Sequence, residues 1–206
     1  MATLSTYTSD SVAVAATSEL IGIARRAAAG RLQTGTGGNI SIRVAGRNEV
    51  VIKPSGVGFA ECDHDNLLVV DLDGNILKGD AKPSKDMAFH LGIYRVRDDV
   101  GGIVHVHSPW ATGWSASGHE LALPTVHSRD KLKRIPIVPT GPGGGAQRPE
   151  DIVAEFRDPA LRAALLAEHG SVGVGRTLLS ALHVAELIEE TAQVAALARL
   201  LKAAPG

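Results

Sequence analysis

The chain has 206 residues, is 44% apolar and carries a formal net charge of −1. That length suits a single domain over residues 1–206, with a core large enough to stand without covalent staples. The 21 basic and 22 acidic residues nearly cancel, which leaves no electrostatic footprint for nucleic acid or an anionic membrane, and the single Cys62 excludes an internal disulfide or a multi-cysteine metal site. No apolar run approaches the roughly 18–20 residues that span a bilayer. Residues 1–17 lack the basic start of a signal peptide and read as a loosely ordered polar lead-in, so a cytoplasmic location is expected.

From Glu19 the apolar residues Leu20, Ile23, Ala24 and Ala27 fall at helical spacing, and Gly30 closes that helix. Asn39 to Val44 alternates polar and apolar, as a half-buried strand does, and a turn at Gly46-Arg47-Asn48 leads into a second strand, Val50 to Ile52, so the two form a hairpin. Asn66 to Asp71 reads as a strand, with a turn at Asp73-Gly74-Asn75 before Ile76-Leu77. Pro83-Ser84-Lys85-Asp86 opens a helix, with Ser84 as the expected N-cap and Asp86 in the positive first turn. Gly101-Gly102 breaks that helix. Ile103 to His107 then reads as a buried strand running into a helix start at Ser108-Pro109. Ile135 to Val138 is a short strand, Pro139 to Gly145 a loop, Leu161 to Glu168 a predicted helix, Ser171 to Val174 a strand, and Thr177 to Lys202 a long amphipathic helix. The alternation gives one α/β or α+β domain.

The strongest chemical signal is His105-Val106-His107. On a strand, residues i and i+2 share a face, with Cα atoms about 6.5–7 Å apart at about 3.3 Å per residue, so both imidazoles can converge on one divalent ion. A catalytic zinc usually takes three protein ligands and keeps a position open. Spacing alone leaves His64, His90, His119, His127, His169 and His183 all open as the third. The small residues at Gly38-Asn39, Ser55-Gly56 and Ser84 offer backbone N–H groups and hydroxyls of the kind that cradle a phosphate, and Lys85 adds an ammonium suited to phosphate or carboxylate.

Five stretches occur in the order of one known family: Gly38-Asn39-Ile40-Ser41-Ile42-Arg43; Lys53-Pro54-Ser55-Gly56-Val57; Lys82-Pro83-Ser84-Lys85-Asp86 followed by His90-Leu91-Gly92-Ile93-Tyr94; Val104-His105-Val106-His107-Ser108; and Glu168-His169-Gly170. From about residue 18 to about residue 201 the chain resembles the class II aldolase/epimerase family, the group of L-fuculose-phosphate aldolase and L-ribulose-5-phosphate 4-epimerase. The resemblance implies a three-layer α/β/α fold with a mainly antiparallel central sheet covered by helices. It implies that His105, His107 and His169 hold the metal, usually zinc, and that Asp86 is the acid/base beside it. Gly38, Asn39, Ser55, Gly56 and Ser84 match the loops that bind the phosphate of a small phosphorylated sugar, Lys85 departs from the aldolase pattern, where a second Ser is common, and a homotetramer with sites near subunit contacts is expected.

The reaction implied is carbon–carbon cleavage of a phosphorylated ketose through a zinc-stabilised enediolate. Epimerisation by cleavage and re-addition, and decarboxylation of a keto-acid sugar phosphate, share that intermediate. Familiar aldolase and epimerase members use a tyrosine on the aldehyde side, in some cases near the C-terminus, whereas this chain has no Tyr after Tyr94. His127 or Asp130 is the substitute the sequence offers as proton donor. A non-enzyme alternative is an adducin-like binding module of the same fold, for which loss of the histidines would be the sign.

Overall fold

The computed structural model describes residues 4–203 of the chain. One eight-stranded sheet runs through it: β1 (Asn39–Arg43), β2 (Glu49–Ile52), β3 (Leu68–Asp71), β4 (Ile76–Lys78), β5 (Gly102–Val106), β6 (Ile137–Val138), β7 (Ala163–Leu166) and β8 (Gly170–Gly175). The order across the sheet is β4-β3-β2-β1-β5-β8-β7-β6. Only the β6–β7 pair is parallel; every other neighbouring pair is antiparallel. The expected mainly antiparallel sheet is therefore present.

Helices cover both faces. On one side α1 (Leu4–Ala29) and α6 (Leu178–Ala203) pack Leu20, Ala24, Leu182 and Ala185 onto Ile40, Ile42, Val104 and Val106. On the other, α2 (Met87–Val96) and α5 (Pro149–Phe156) pack Phe89, Ile93, Ile152 and Phe156 onto Val50, Ile52, Ile103 and Val172. Period-2 alternation along β1 and β5 divides their residues cleanly between the two cores. Residues 39, 41, 103 and 105 consequently face α2, where the polar members of the set meet. Two short helices, α3 (Pro109–Ala116) and α4 (Val126–Leu132), lie towards α6 at the other end of the sheet.

Three expectations need correction. The segment Leu161 to Glu168 is strand β7 rather than helix. Its Ala and Leu residues favour helix by only a few tenths of a kcal/mol each, whereas burying Leu165 and Leu166 in the sheet is worth roughly 1.5–3 kcal/mol apiece. Helix α1 begins at Leu4 instead of Glu19; of the lead-in expected over residues 1–17, residues 1–3 lie outside the described residues and the remainder is helical. Val12, Ala16, Leu20 and Ala24 form an i, i+4 stripe against the core, but two small alanines interleaved with Ser and Thr leave little amphipathic contrast to read. Finally, α2 starts at Met87, with Asp86 rather than Ser84 at the N-cap position and no side-chain capping bond. The Asp86 carboxylate is turned elsewhere.

Candidate metal centre and its carboxylate

The β1–β5–β8 register builds the site. Asn39 stands opposite His105 across β1 and β5, and His105 stands opposite Val172 across β5 and β8. His107 follows one residue beyond β5 on the same face as His105. His169 belongs to the tight turn between β7 and β8, not to a helix end; the turn closes with the His169 backbone N–H donating to Leu166 O at 3.0 Å and with Glu168 in the left-handed region at φ 59°. Two glycines permit this closeness. A Cβ on Gly170 would lie 2.3 Å from Val106 O, and one on Gly38, itself at φ +58°, would lie 2.6 Å from His105 O.

The three rings converge. Their centroids are 4.7–4.9 Å apart, and one ligand atom from each lies within 4.8 Å of the others. His105 Nε2 and His107 Nε2 are 3.1 Å apart, near the ~3.4 Å that two nitrogens adopt at ~2.05 Å from one tetrahedral ion. His105 donates its Nδ1–H to Ser171 O at 3.0 Å and His169 donates its Nδ1–H to Gln147 Oε1 at 3.2 Å, so each leaves Nε2 as a lone pair. Gln147 is oriented in turn by donating Nε2–H to Ala167 O at 2.9 Å. Burial, reinforced by the neighbouring imidazoles, holds His105 well below the usual histidine range, and burial with His169 beside it lowers His107. Neutral imidazoles are what metal binding needs, and the donor set fits a divalent ion of the zinc type.

Asp86 lies against this group, its Oδ2 3.8 Å from His105 Nε2, with the side chain 27% exposed. Asn39 Nδ2 donates to the same oxygen at 2.7 Å and to Ser84 Oγ at 3.1 Å, while Asn39 Oδ1 accepts from His90 Nε2. Asn39 is buried at 1% exposure with its amide fully engaged, so its side chain serves the carboxylate and has no donor left for a phosphate. Burial takes His90 down to about 3, which makes it neutral. The His105/His107/His169 group thus has a carboxylate, and the carboxylate has its own hydrogen-bonded support.

Of the other expected positions, Gly38 and Ser84 lie beside this group, while Ser55, Gly56 and Lys85 are exposed in the neighbouring loops. Ser55 N–H is already given to Lys82 O at 2.9 Å. A buried ammonium binds these loops together: Lys53, 1% exposed, donates to Thr36 O and Pro54 O at 3.2 Å each and to Val57 O. Desolvation lowers its pKa. His127 and Asp130 are not part of this arrangement. They are exposed on α4 and line a separate cavity of about 840 Å³ with His183, Glu186 and Glu190 of α6.

Sequence reasoning missed Gln147, which carries no motif, and Gln33, whose Oε1 accepts the His107 N–H at 2.8 Å. It also missed Glu189, which fixes the start of α3 directly after the histidine strand by accepting from the N–H groups of Trp110 and Ala111 at 3.0 and 2.8 Å. Each is distant in sequence from the residue it holds, so no local pattern could have shown it.

The arrangement defines an α/β protein with a three-histidine centre and an adjacent carboxylate. The family model described as class II aldolase and adducin N-terminal domain matches residues 18–196, and the chain belongs to that family. It is 36% identical over 160 residues to an L-fuculose phosphate aldolase of Methanococcus maripaludis, covering 78% of this chain and 84% of that one. It is 33% identical over 184 residues to an L-ribulose-5-phosphate 4-epimerase of Salmonella paratyphi C, covering 82% and 78%. A solved L-fuculose 1-phosphate aldolase superposes with a TM-score of 0.83 at 28% identity, covering 93% of this chain and 89% of that one. Family and relatives together indicate an aldolase/epimerase enzyme, with fold and class agreeing with the sequence reading.

Proposed function

We propose that the protein is a zinc-dependent carbon–carbon lyase of the L-fuculose-phosphate-aldolase type, acting on a small phosphorylated ketose. The observation that carries this reading is the Asp86 carboxylate standing 3.8 Å from His105 Nε2, beside three imidazoles able to share one ion. His105, His107 and His169 would hold zinc or another divalent ion, which when bound supplies a Lewis acid for negative charge developing on a substrate oxygen. Asp86 gives or takes the proton at the reacting carbon: it is exposed enough to meet a substrate, and Asn39 fixes its Oδ2, which leaves Oδ1 to face the proton. The loops at Gly38, Ser55-Gly56 and Ser84-Lys85 take the phosphate, with small residues allowing close approach and the buried Lys53 ammonium holding two of the loops together. The names of the relatives support a sugar phosphate.

The reading includes a homotetramer. Exposed Trp110, Val126, Leu197, Leu200 and Leu201 offer apolar surface for subunit contacts. His127 and Asp130, remote from the histidines of their own chain, would act as proton donors only towards a second copy.

One observation favours a second reading, decarboxylation of a keto-acid sugar phosphate. Tyr94 is fully buried and donates its hydroxyl to Ser41 O at 3.0 Å, and burial pushes its phenol up, so it does not serve an aldehyde-side oxygen. Release of carbon dioxide needs no such donor. A panel of ketose phosphates and keto-acid phosphates, read for aldehyde against carbon dioxide, decides between the two; aldehyde from a ketose phosphate is the expected result, and carbon dioxide alone would overturn it.

A further inference from the structure

Behind the carboxylate, a polar ladder runs into the core between β1 and α2. Two residues along a strand advance about 6.6 Å and four along a helix about 6.0 Å, so residues 39 and 41 of β1 can interleave with residues 86, 90 and 94 at the start and along the face of α2. They do. Asn39 Nδ2 donates to Asp86 Oδ2 at 2.7 Å, His90 Nε2 meets Asn39 Oδ1, Ser41 Oγ meets His90 Nδ1 at 2.7 Å, and Tyr94 OH donates to Ser41 O at 3.0 Å while lying 2.9 Å from Ser41 Oγ. Asn39, Ser41, His90 and Tyr94 are each no more than 1% exposed.

The donor sense of this ladder is fixed from one end to the other. A carboxylate only accepts, so the amide of Asn39 must present its NH2 to Asp86 and its oxygen to His90. His90 therefore carries its proton on Nε2, and its bare Nδ1 must accept from the Ser41 hydroxyl. Every link donates towards Asp86. Core packing alone does not ask for this: an aliphatic residue at position 90 would fill the same space beside Phe89 without burying a polar ring.

We propose that His90 is the positioning residue of the Asp86 carboxylate, acting through Asn39, with Ser41 fixing the His90 tautomer. The inference rests on the reading of Asp86 as the acid/base. Without the Nε2–H donor the Asn39 Oδ1 is left buried and unpaired, so the amide loses its anchor on α2 and shifts, and the carboxylate hydrogen-bonded to it shifts with it. A carboxylate displaced by about 1 Å loses on the order of a hundredfold in rate, while the three histidine side chains, which make no hydrogen bond to Asn39 or His90, keep the metal, and Ser84, which the ladder touches through Asn39 Nδ2, still accepts from the Asp86 N–H at 3.2 Å.

The test compares His90→Leu, His90→Gln and Ser41→Ala in the zinc-loaded protein, with the ketose phosphate cleaved in the panel above as substrate. His90→Leu should lower kcat about 30- to 100-fold with KM within about threefold and metal content unchanged. His90→Gln places an NH2 donor and an oxygen acceptor where the two ring nitrogens stood, and should recover most of that loss. Ser41→Ala, a small change that a folded core tolerates, should cost a few-fold in kcat. Nitrogen NMR supplies a readout independent of turnover: His90 should appear as the Nε2–H tautomer, and the slowly exchanging Asn39 carboxamide protons should be lost in His90→Leu. In the Asp86→Asn background, His90→Leu should add less than about twofold to the defect. Near-normal turnover in Asp86→Asn would sink the acid/base reading. An impaired Asp86→Asn beside a fully active His90→Leu, or an Nδ1–H tautomer at His90, would overturn the positioning role alone.

Discussion

Among the described residues, two regions gather histidines and carboxylates, and only one of them forms a metal-ligand set. In the cavity between α4 and α6, His127, Asp130, His183, Glu186 and Glu190 face water. Asp130 is neutralised by Lys131 at 2.9 Å and Lys133 at 3.9 Å, and these lysines hold its carboxyl below the usual range. At the end of β5, by contrast, each histidine is aimed by something rigid. His105 is held by the β5–β8 register and Ser171 O, His107 by Gln33 on its backbone, and His169 by the β7–β8 turn and Gln147. Residue type is equal in the two regions; orientation is not, and a metal site consists largely of orientation.

The sharpest way to break the comparison is to remove a ligand. His105→Ala should weaken zinc binding by more than about a hundredfold, beyond what loss of a supporting contact does, as read by metal analysis after dialysis against a chelator. Retention of stoichiometric metal would refute the centre. Gln147→Leu probes the support in the same assay: it deletes the acceptor that sets the His169 ring, and should cost about 10- to 100-fold in affinity. An unchanged affinity would mean that the β7–β8 turn alone orients His169.

How much of this was legible before the structure follows the same division. Features carried by local spacing could be read: the His105/His107 pair, the β1–β2 hairpin and the long C-terminal helix all depend on residues within a few positions of each other. The choice of His169 among six candidates came from motif order, because its ring reaches the pair through the turn of a different hairpin. Leu161 to Glu168 was misread because strand β7 is buried on both faces, and a short continuous apolar run has no periodicity to separate strand from helix. Lys53 stands in the sequence only as the first residue of one motif stretch, yet it lies inside, satisfied by backbone carbonyls. Such residues are set by tertiary contacts, and no window along the chain contains both partners.

Acid provides a finer probe of the buried side. His90 titrates at about 3 in the native state against about 6.5 in an unfolded chain. Between these values the unfolded state binds a proton that the native state does not, so stability rises with pH and is lost as pH falls below about 6.5. The slope is about 1.4 kcal/mol per pH unit for this one group. In metal-free protein His105 adds a loss of the same sign. Denaturant unfolding between pH 6.5 and 4.5, above the main carboxylate range, should show the slope for the native sequence and a shallower one for His90→Gln. Identical slopes would mean that His90 is accessible to protons in the folded state.

The smallest effect belongs to the other cavity. Asp130→Asn removes one exposed carboxylate whose partners are flexible lysines 60% and 67% exposed, and ion pairs so open to water contribute little to stability. His127→Ala removes an exposed ring from the same helix. In the metal-binding assay both should match the native chain, and both should unfold at the same denaturant midpoint as it does. Their turnover then isolates the one property that distinguishes a bystander from a donor supplied to a second copy. If mixing inactive His105→Ala with inactive Asp130→Asn restores activity, residues of α4 complete a site they do not share a chain with. If Asp130→Asn and His127→Ala each turn over normally, α4 contributes nothing to the reaction, and the proton on the aldehyde side must come from elsewhere.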